Sequence, residues 1–289
     1  MLKSMTGYGK ASTEFSGKKI NVEIRSVNSK QLDLNLRTPY VYREKENEIR
    51  AEVSKSIERG KADISVYVES GREASTAIIN KTLAKMYYKE LKALAKDVKE
   101  TNTNILSLVM KMPDVMKAER EELDEKEWKL VKTTLDKALK SFNKFRADEG
   151  KTLEKEFTTR LNGILTLLQE VEKVDPQRIK NIRERILRNI NEFVEKEKID
   201  SNRFEQEMIY YLEKIDVTEE KLRLKTHCDY FLNTMKEDSP GRKLGFISQE
   251  IGREINTLGS KANDAAIQKI VVQMKDELEK IKEQLLNVL

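Results

Sequence analysis

Within the first seventy positions, apolar residues recur at every second place. Ile20, Val22 and Ile24 alternate with Asn21, Glu23 and Arg25, and Leu32, Leu34 and Leu36 alternate with Asp33, Asn35 and Arg37. Ile64, Val66 and Val68 keep the same rhythm. Successive side chains of a strand point to opposite faces, so a period of two predicts strands with one buried face. Ser16-Gly17-Lys18 supplies the turn of a hairpin joining 3–14 to 19–27. Across 44–59 the period changes: Ile49, Val53 and Ile57 fall four apart, and Gly60 stands where a helix C-cap favours positive φ. This region reads as a small antiparallel sheet with a helix across it.

From Lys81 onward the spacing is helical, over 81–99, 104–111, 124–147, 151–173, 177–197, 203–236, 241–258 and 263–287. Asp148-Glu149-Gly150, Asp175-Pro176 and Ser239-Pro240-Gly241 supply breaks. The apolar stripes Leu153, Phe157, Leu161, Ile164, Leu168 and Ile179, Ile182, Ile186, Ile190, Phe193 meet across the short link at Pro176. That link predicts an antiparallel hairpin. Ile267, Val271, Met274, Leu278, Ile281, Leu285 and Val288 repeat as heptads, a seam that fits packing on the same subunit or on a second one. The fold class is α+β and predominantly helical. It comprises an N-terminal α+β domain over 1–150, a helical hairpin over 151–200 and a helical C-terminal domain over 201–289.

Composition supports the helices: 289 residues hold 11 glycines and 4 prolines. No apolar run approaches the roughly 20 residues of a membrane span. Met1–Gly7 lacks the apolar core of a signal peptide. A soluble cytoplasmic protein without membrane contact is expected. A single cysteine, Cys228, excludes an internal disulfide framework and a cysteine-rich zinc site. A single histidine, His227, excludes multi-histidine metal sites within one subunit. No phosphate loop, dinucleotide fingerprint or nucleophile elbow occurs, so no organic cofactor is expected. The net charge is +5, and residues 1–40 alone carry seven bases against three acids.

Three constellations could carry chemistry. Glu250 and Glu254 are four apart on a helix opposite the stripe Leu244, Ile247, Ile251, Ile255, Leu258. Carboxylates about 6 Å apart can share a hard divalent cation, or one can raise the pKa of the other. The same spacing also describes a solvated acidic face. Asp216, Glu220, Arg223 and His227 fall at intervals of 0, 4, 7 and 11, one helical stripe. That row fits acid/base or metal chemistry, and equally an ion-pair ladder. Lys3, Lys10, Lys18, Lys19, Arg25, Lys30 and Arg37 make the sheet region basic enough to meet phosphates, and Tyr8, Tyr40 and Tyr42 fit either base stacking or core packing.

Read as strings, these segments resemble the YicC/YloC family nearly end to end, most weakly over about 75–200. The carriers are Ser4-Met5-Thr6-Gly7-Tyr8-Gly9, Glu23–Asn28 with Leu32-Asp33, Arg37-Thr38-Pro39 and Arg59-Gly60-Lys61. They continue in Glu219-Glu220, Arg223-Leu224 and His227, in Gly241–Leu244, Phe246, Gln249-Glu250, Arg253-Glu254, Asn256-Thr257 and Ser260–Asp264, and in the closing Glu279–Gln284. The chain departs from the family at Gly245 and Gly252, where polar residues are usual, and at Ser29-Lys30, where an arginine usually follows. Lys30 keeps the charge but loses the bidentate fork.

The resemblance implies a cytoplasmic, metal-dependent endoribonuclease acting on single-stranded or structured RNA. It implies a hexamer, a trimer of dimers around a channel. On that reading Glu250, Glu254, His227 and Asp216 hold a divalent cation, Mn or Mg. Arg223, Arg253 and Lys261 offset charge at the scissile phosphate. Arg25, Asn28, Lys30, Arg59 and Lys61, with Lys261, hold RNA. A second route makes His227 the general base on the ribose 2′-OH. The alternative of another class is a non-catalytic RNA-binding scaffold, with Glu250 and Glu254 in an intersubunit salt-bridge row.

Overall fold

The computed structural model describes residues 2–70, 78–100, 104–117, 123–193 and 201–289. The alternating runs form β1 (Gly7–Phe15), β2 (Lys18–Val27), β3 (Leu32–Arg37) and β4 (Gly60–Ser70). They make one sheet in the order β1-β2-β4-β3. β1 and β2 are the expected hairpin, and β4 lies antiparallel to β2. β3 runs parallel to β4, so the sheet is mixed rather than purely antiparallel. The 3-10 turn Tyr40–Lys45 and helix α1 (Glu46–Ser56) are the reason: they carry the chain back to the start of β3 before β4 begins. α1 ends at Ile57, so Gly60, with φ +117°, opens β4 instead of capping the helix.

β5 (Ile78–Ile79), α2 (Lys81–Asp97), α3 (Ile105–Lys111) and β6 (Met116–Lys117) form a lobe between β4 and the next helix. That helix, α4, spans Glu125–Phe193 without interruption. Its 69 residues reach about 100 Å at 1.5 Å per residue. The three helices expected over 124–197 are therefore one as far as Phe193, and the hairpin at Pro176 does not exist; 194–197 lie outside the described residues. Gly150 is no break, because Leu2 crosses the helix there and an added Cβ would collide with the Leu2 carbonyl. Pro176 sits inside the helix, where a missing N–H and a crowding ring cost about 3 kcal/mol. The flanking side chains offset that cost. Buried Arg178 donates through Nε to Asp175 at 2.8 Å and reaches the carbonyls of Ala262 (2.9 Å) and Ile215 (3.1 Å).

The N-terminal third of α4 covers the sheet. Trp128, Val131, Leu135, Ala138 and Phe142 pack with Ile20, Val22, Ile24, Ile64 and Val66, and with Ile49 and Val53 of α1. Gly7 and Gly9 let β1 lie directly on the helix: a Cβ on Gly9 would strike the Ala138 carbonyl. Further along, Phe157, Leu161, Ile164 and Leu168 enter a second core with α6 (Thr218–Thr234), α7 (Gly241–Ala262) and α8 (Ala265–Leu285). Phe157 meets Phe231 edge-on at 5.7 Å. All seven heptad residues of the last helical stretch are buried in this core, so the seam lies within the chain.

The helix expected over 203–236 is two, α5 (Ser201–Lys214) and α6. Asp216 makes the break: its Oδ1 accepts from the backbone N–H and hydroxyl of Thr218 at 3.1 and 2.7 Å. The two cores are also joined through the chain ends. Ser4 bridges Val288, Met5 N–H donates to the Asn287 carbonyl, and Arg146 Nε donates to the Ser4 carbonyl at 2.6 Å. Among the described residues no helix is long and apolar enough to cross a membrane.

Pro176→Ala restores a backbone donor in a helix that already continues through the site. It should raise unfolding stability by about 1–2 kcal/mol, read by denaturant melts. A loss of stability would show that the proline is required by the local path of α4.

Candidate functional site

α6 and α7 are antiparallel neighbours joined by the turn around Ser239 and Pro240. Leu224, Cys228 and Phe231 of one helix, and Leu244, Ile247, Ile251, Ile255 and Leu258 of the other, turn into the core. This fixes the rotation of both helices and sets their polar residues along one shared flank. There His227, Glu250 and Glu254 converge, each offering a ligand atom within 4.8 Å of the others. His227 is half-buried, Glu250 exposed and Glu254 only 5% exposed. Among the described residues neither His227 nor Glu254 has a hydrogen-bond or ion-pair partner, and this is the one His/Cys/Asp/Glu cluster of its kind.

The other residues expected in the site fall around it unevenly. Arg253 lies 3.8 Å from Glu250, a loose contact between exposed groups. Arg223 pairs with Glu219 at 2.5 Å. Asp216 is not brought to the cluster; it precedes α6, its Oδ1 turned back to the Thr218 N–H and hydroxyl. Lys261 pairs with Glu220 at 2.7 Å. That hydrogen bond raises the Lys261 pKa above its ordinary value. The ion pair therefore stabilises the fold below the ordinary lysine pKa and is lost as pH rises through the raised one. Glu220 is buried, and its second oxygen, Oε2, has no partner.

At the sheet, Asn28 and Lys30 are exposed in the β2–β3 loop, and Lys61 lies opposite Val27 at the start of β4. Arg59 Nε donates to the Ser29 carbonyl at 3.0 Å, so these four groups share one end of the sheet. Arg25, opposite Asp63 and so on the same face of the sheet as Lys61, is bound to Glu23 at 2.5 Å and lies over the Tyr8 ring. Tyr42 is core, not a stacking platform. The Ser239 hydroxyl donates to Glu58 Oε2 at 3.1 Å, tying the α6–α7 turn to the loop that carries Arg59. Gly245 faces open space, while a Cβ on Gly252 would press on Leu278.

Sequence spacing missed one functional support. Asp175 holds Arg178 and also accepts from Lys221 Nζ at 2.7 Å. Arg178 thereby clamps the carbonyl of Ile215, just past α5, and the last carbonyl of α7 to α4, next to Asp216 and Lys261. Reading Asp175-Pro176 as a break hid it; an acid and an arginine three apart on an apolar stripe were the available signal.

The fold and the flank define an α+β protein with its functional groups on an antiparallel helix pair. The family described as Endoribonuclease YicC-like, N-terminal region, matches residues 2–155, and its C-terminal counterpart matches 171–289. The chain belongs to the YicC-like endoribonuclease family. A probable endoribonuclease YicC of Clostridioides difficile is 33% identical over 289 residues, 99% of each chain. A probable endoribonuclease YicC of Haemophilus influenzae is 32% identical over 290 residues, all of each chain.

Cys228 neighbours His227 in sequence but points into the core, and burial pushes its thiol up to about 12. Native protein at pH 8 should react with a thiol reagent roughly 100-fold more slowly than unfolded chain. Labelling at the unfolded rate would place Cys228 on the open flank.

Proposed function

We propose that this protein is a divalent-metal-dependent endoribonuclease working in the cytoplasm as a hexamer. One observation carries the reading: His227, Glu250 and Glu254 each bring a ligand atom within 4.8 Å of the others, and the side chains of His227 and Glu254 make no hydrogen bond or ion pair among the described residues. Two carboxylates held this close repel one another, and a shared cation would offset that repulsion. One imidazole nitrogen and two carboxylates within 4.8 Å are close to the span of a single coordination sphere, and mixed N/O donors suit Mn or Mg. The names of the two relatives supply RNA as the substrate class.

When bound, the cation supplies Lewis acidity at the scissile phosphate. Arg253 can leave its loose contact with Glu250 to meet charge developing on the phosphate. Arg223 offers a second guanidinium one turn from His227 on α6. Lys261, committed to Glu220, holds the far end of the helix pair in register while its remaining donors face RNA. Asn28, Lys30, Arg59 and Lys61 hold the backbone beyond the cut. Apolar groups left exposed, Ile209 and Tyr210 on α5, Phe246 on α7 and Val272 on α8, support contact between subunits.

A labelled RNA should be cut by the purified protein and spared when EDTA is present. Glu250→Ala/Glu254→Ala should slow cutting by about 100-fold or more while the melting curve stays cooperative. Cutting at the wild-type rate would sink the metal assignment. Product ends separate the two chemistries: a 2′,3′-cyclic phosphate removes direct hydrolysis, and cleavage of a 2′-deoxy substrate removes His227 as base on the 2′-OH. A monomer by light scattering would remove the hexamer.

A further inference from the structure

The lobe between β4 and α4 takes no part in the site above. Its helix α2 buries no residue fully and packs on α3, with Leu83, Tyr87 and Leu91 half-buried. Lys81, Lys85, Lys89, Lys92 and Lys96 lie along the same helix. At 100° per residue these five fall within an arc of about 80°. The acids of α2, Glu90 and Asp97, lie about 80° or more beyond that arc. The stripe is therefore of one sign over about 22 Å of helix.

All five lysines are exposed, and none has a hydrogen-bond or ion-pair partner among the described residues. Several lysines on other helices are paired with acids of the same or a neighbouring element. Lys280 meets Asp276 and Glu277, Lys282 meets Glu279, and Lys132 meets Glu48. A merely soluble surface would interleave signs as α8 does. Exposed Tyr88 borders the stripe, about 20° from the direction of Lys81.

We propose that the lysine stripe of α2 is a second RNA-holding surface, gripping the phosphodiester backbone away from the cleavage site. This rests on the reading of the protein as an RNA-cleaving enzyme. Five unpaired cations complement a polyanion, and ammonium groups read charge without reading sequence. A membrane helix needs its apolar side free for insertion, whereas Leu83, Tyr87 and Leu91 are held in the lobe. The chain enters this lobe from Ser70, the end of β4 opposite Gly60 and Lys61. β4 alone is about 33 Å long, so only an extended strand engages both basic surfaces.

The test uses full-length protein, an RNA of about 30 nucleotides and EDTA, so that binding is read without cleavage, by anisotropy across salt concentrations. Replacing all five lysines with glutamine should weaken binding about tenfold or more near 0.1 M salt. It should also make the log–log salt dependence shallower by about 2–3.5, at roughly 0.7 per phosphate contact. The five-arginine variant should keep wild-type affinity. In the wild type, bound RNA should protect these lysines from acetylation, a readout independent of any variant's folding. Unchanged affinity and slope in a folded glutamine variant, or unprotected lysines, would overturn the proposal. So would stripe-dependent binding to phosphatidylserine vesicles with RNA binding unaffected. A wild type that binds RNA through the stripe but never cuts it would sink the proposed function and leave this surface standing.

Discussion

The packing of one apolar stripe along α4 is the constraint on which the rest depends. The stripe stays in phase from Trp128 to Ile182, and it serves two cores in turn. Helical propensity alone would not hold a 69-residue helix through a proline. Side-chain burial against the sheet, and then against α6 and α8, holds it. Past Ile182 the support thins, and Leu187 is partly exposed. The order of the helix thus follows what it touches rather than its local sequence.

The candidate site inherits its geometry from that stripe at one remove. α7 places Glu250 and Glu254 only because Leu244, Ile251 and Leu258 fix its rotation in the core. α6 places His227 because Leu224 and Phe231 do the same. Asp175, which holds Lys221 of α6, and Arg178, which holds the end of α7, tie the pair to α4 and keep it from sliding. A hydrogen-bonded guanidinium at the ends of two helices also meets the negative poles of their dipoles. The polar flank is in this sense a by-product of apolar packing, sharpened by a single buried ion network.

Much of this was legible in the sequence, where periodicity reports burial directly. The strand runs, the β1–β2 hairpin, α1 and the stripe of α7 follow from spacing because one face of each meets a core. The Glu250/Glu254 pair and His227 were legible for the same reason. The misreadings arose where local signals meet tertiary contact. Gly150 and Pro176 are ordinary breakers, yet one is a crossing point for Leu2 and the other is overridden by Arg178. Asp216 shares a periodic register with His227 but lies in the turn before α6, since a short acidic side chain beside Thr218 binds the backbone more readily than it extends a helix. The β3–β4 pairing and the Lys261–Glu220 contact connect distant segments, which spacing within either segment does not encode.

The bridge between Ser4 and Val288 has a consequence for how the chain is made. Lys3 and Met5 exchange backbone hydrogen bonds with Leu289 and Asn287, and the Leu289 carbonyl accepts from Gly241. During vectorial synthesis the segment before β1 emerges well ahead of residues 287–289, and it waits for those partners until they have followed. The sheet and the start of α4 can settle early, but the junction between the two cores closes last. A contact between residues so far apart in sequence depends on the intervening elements having already folded, which spares it the closure of a long flexible loop.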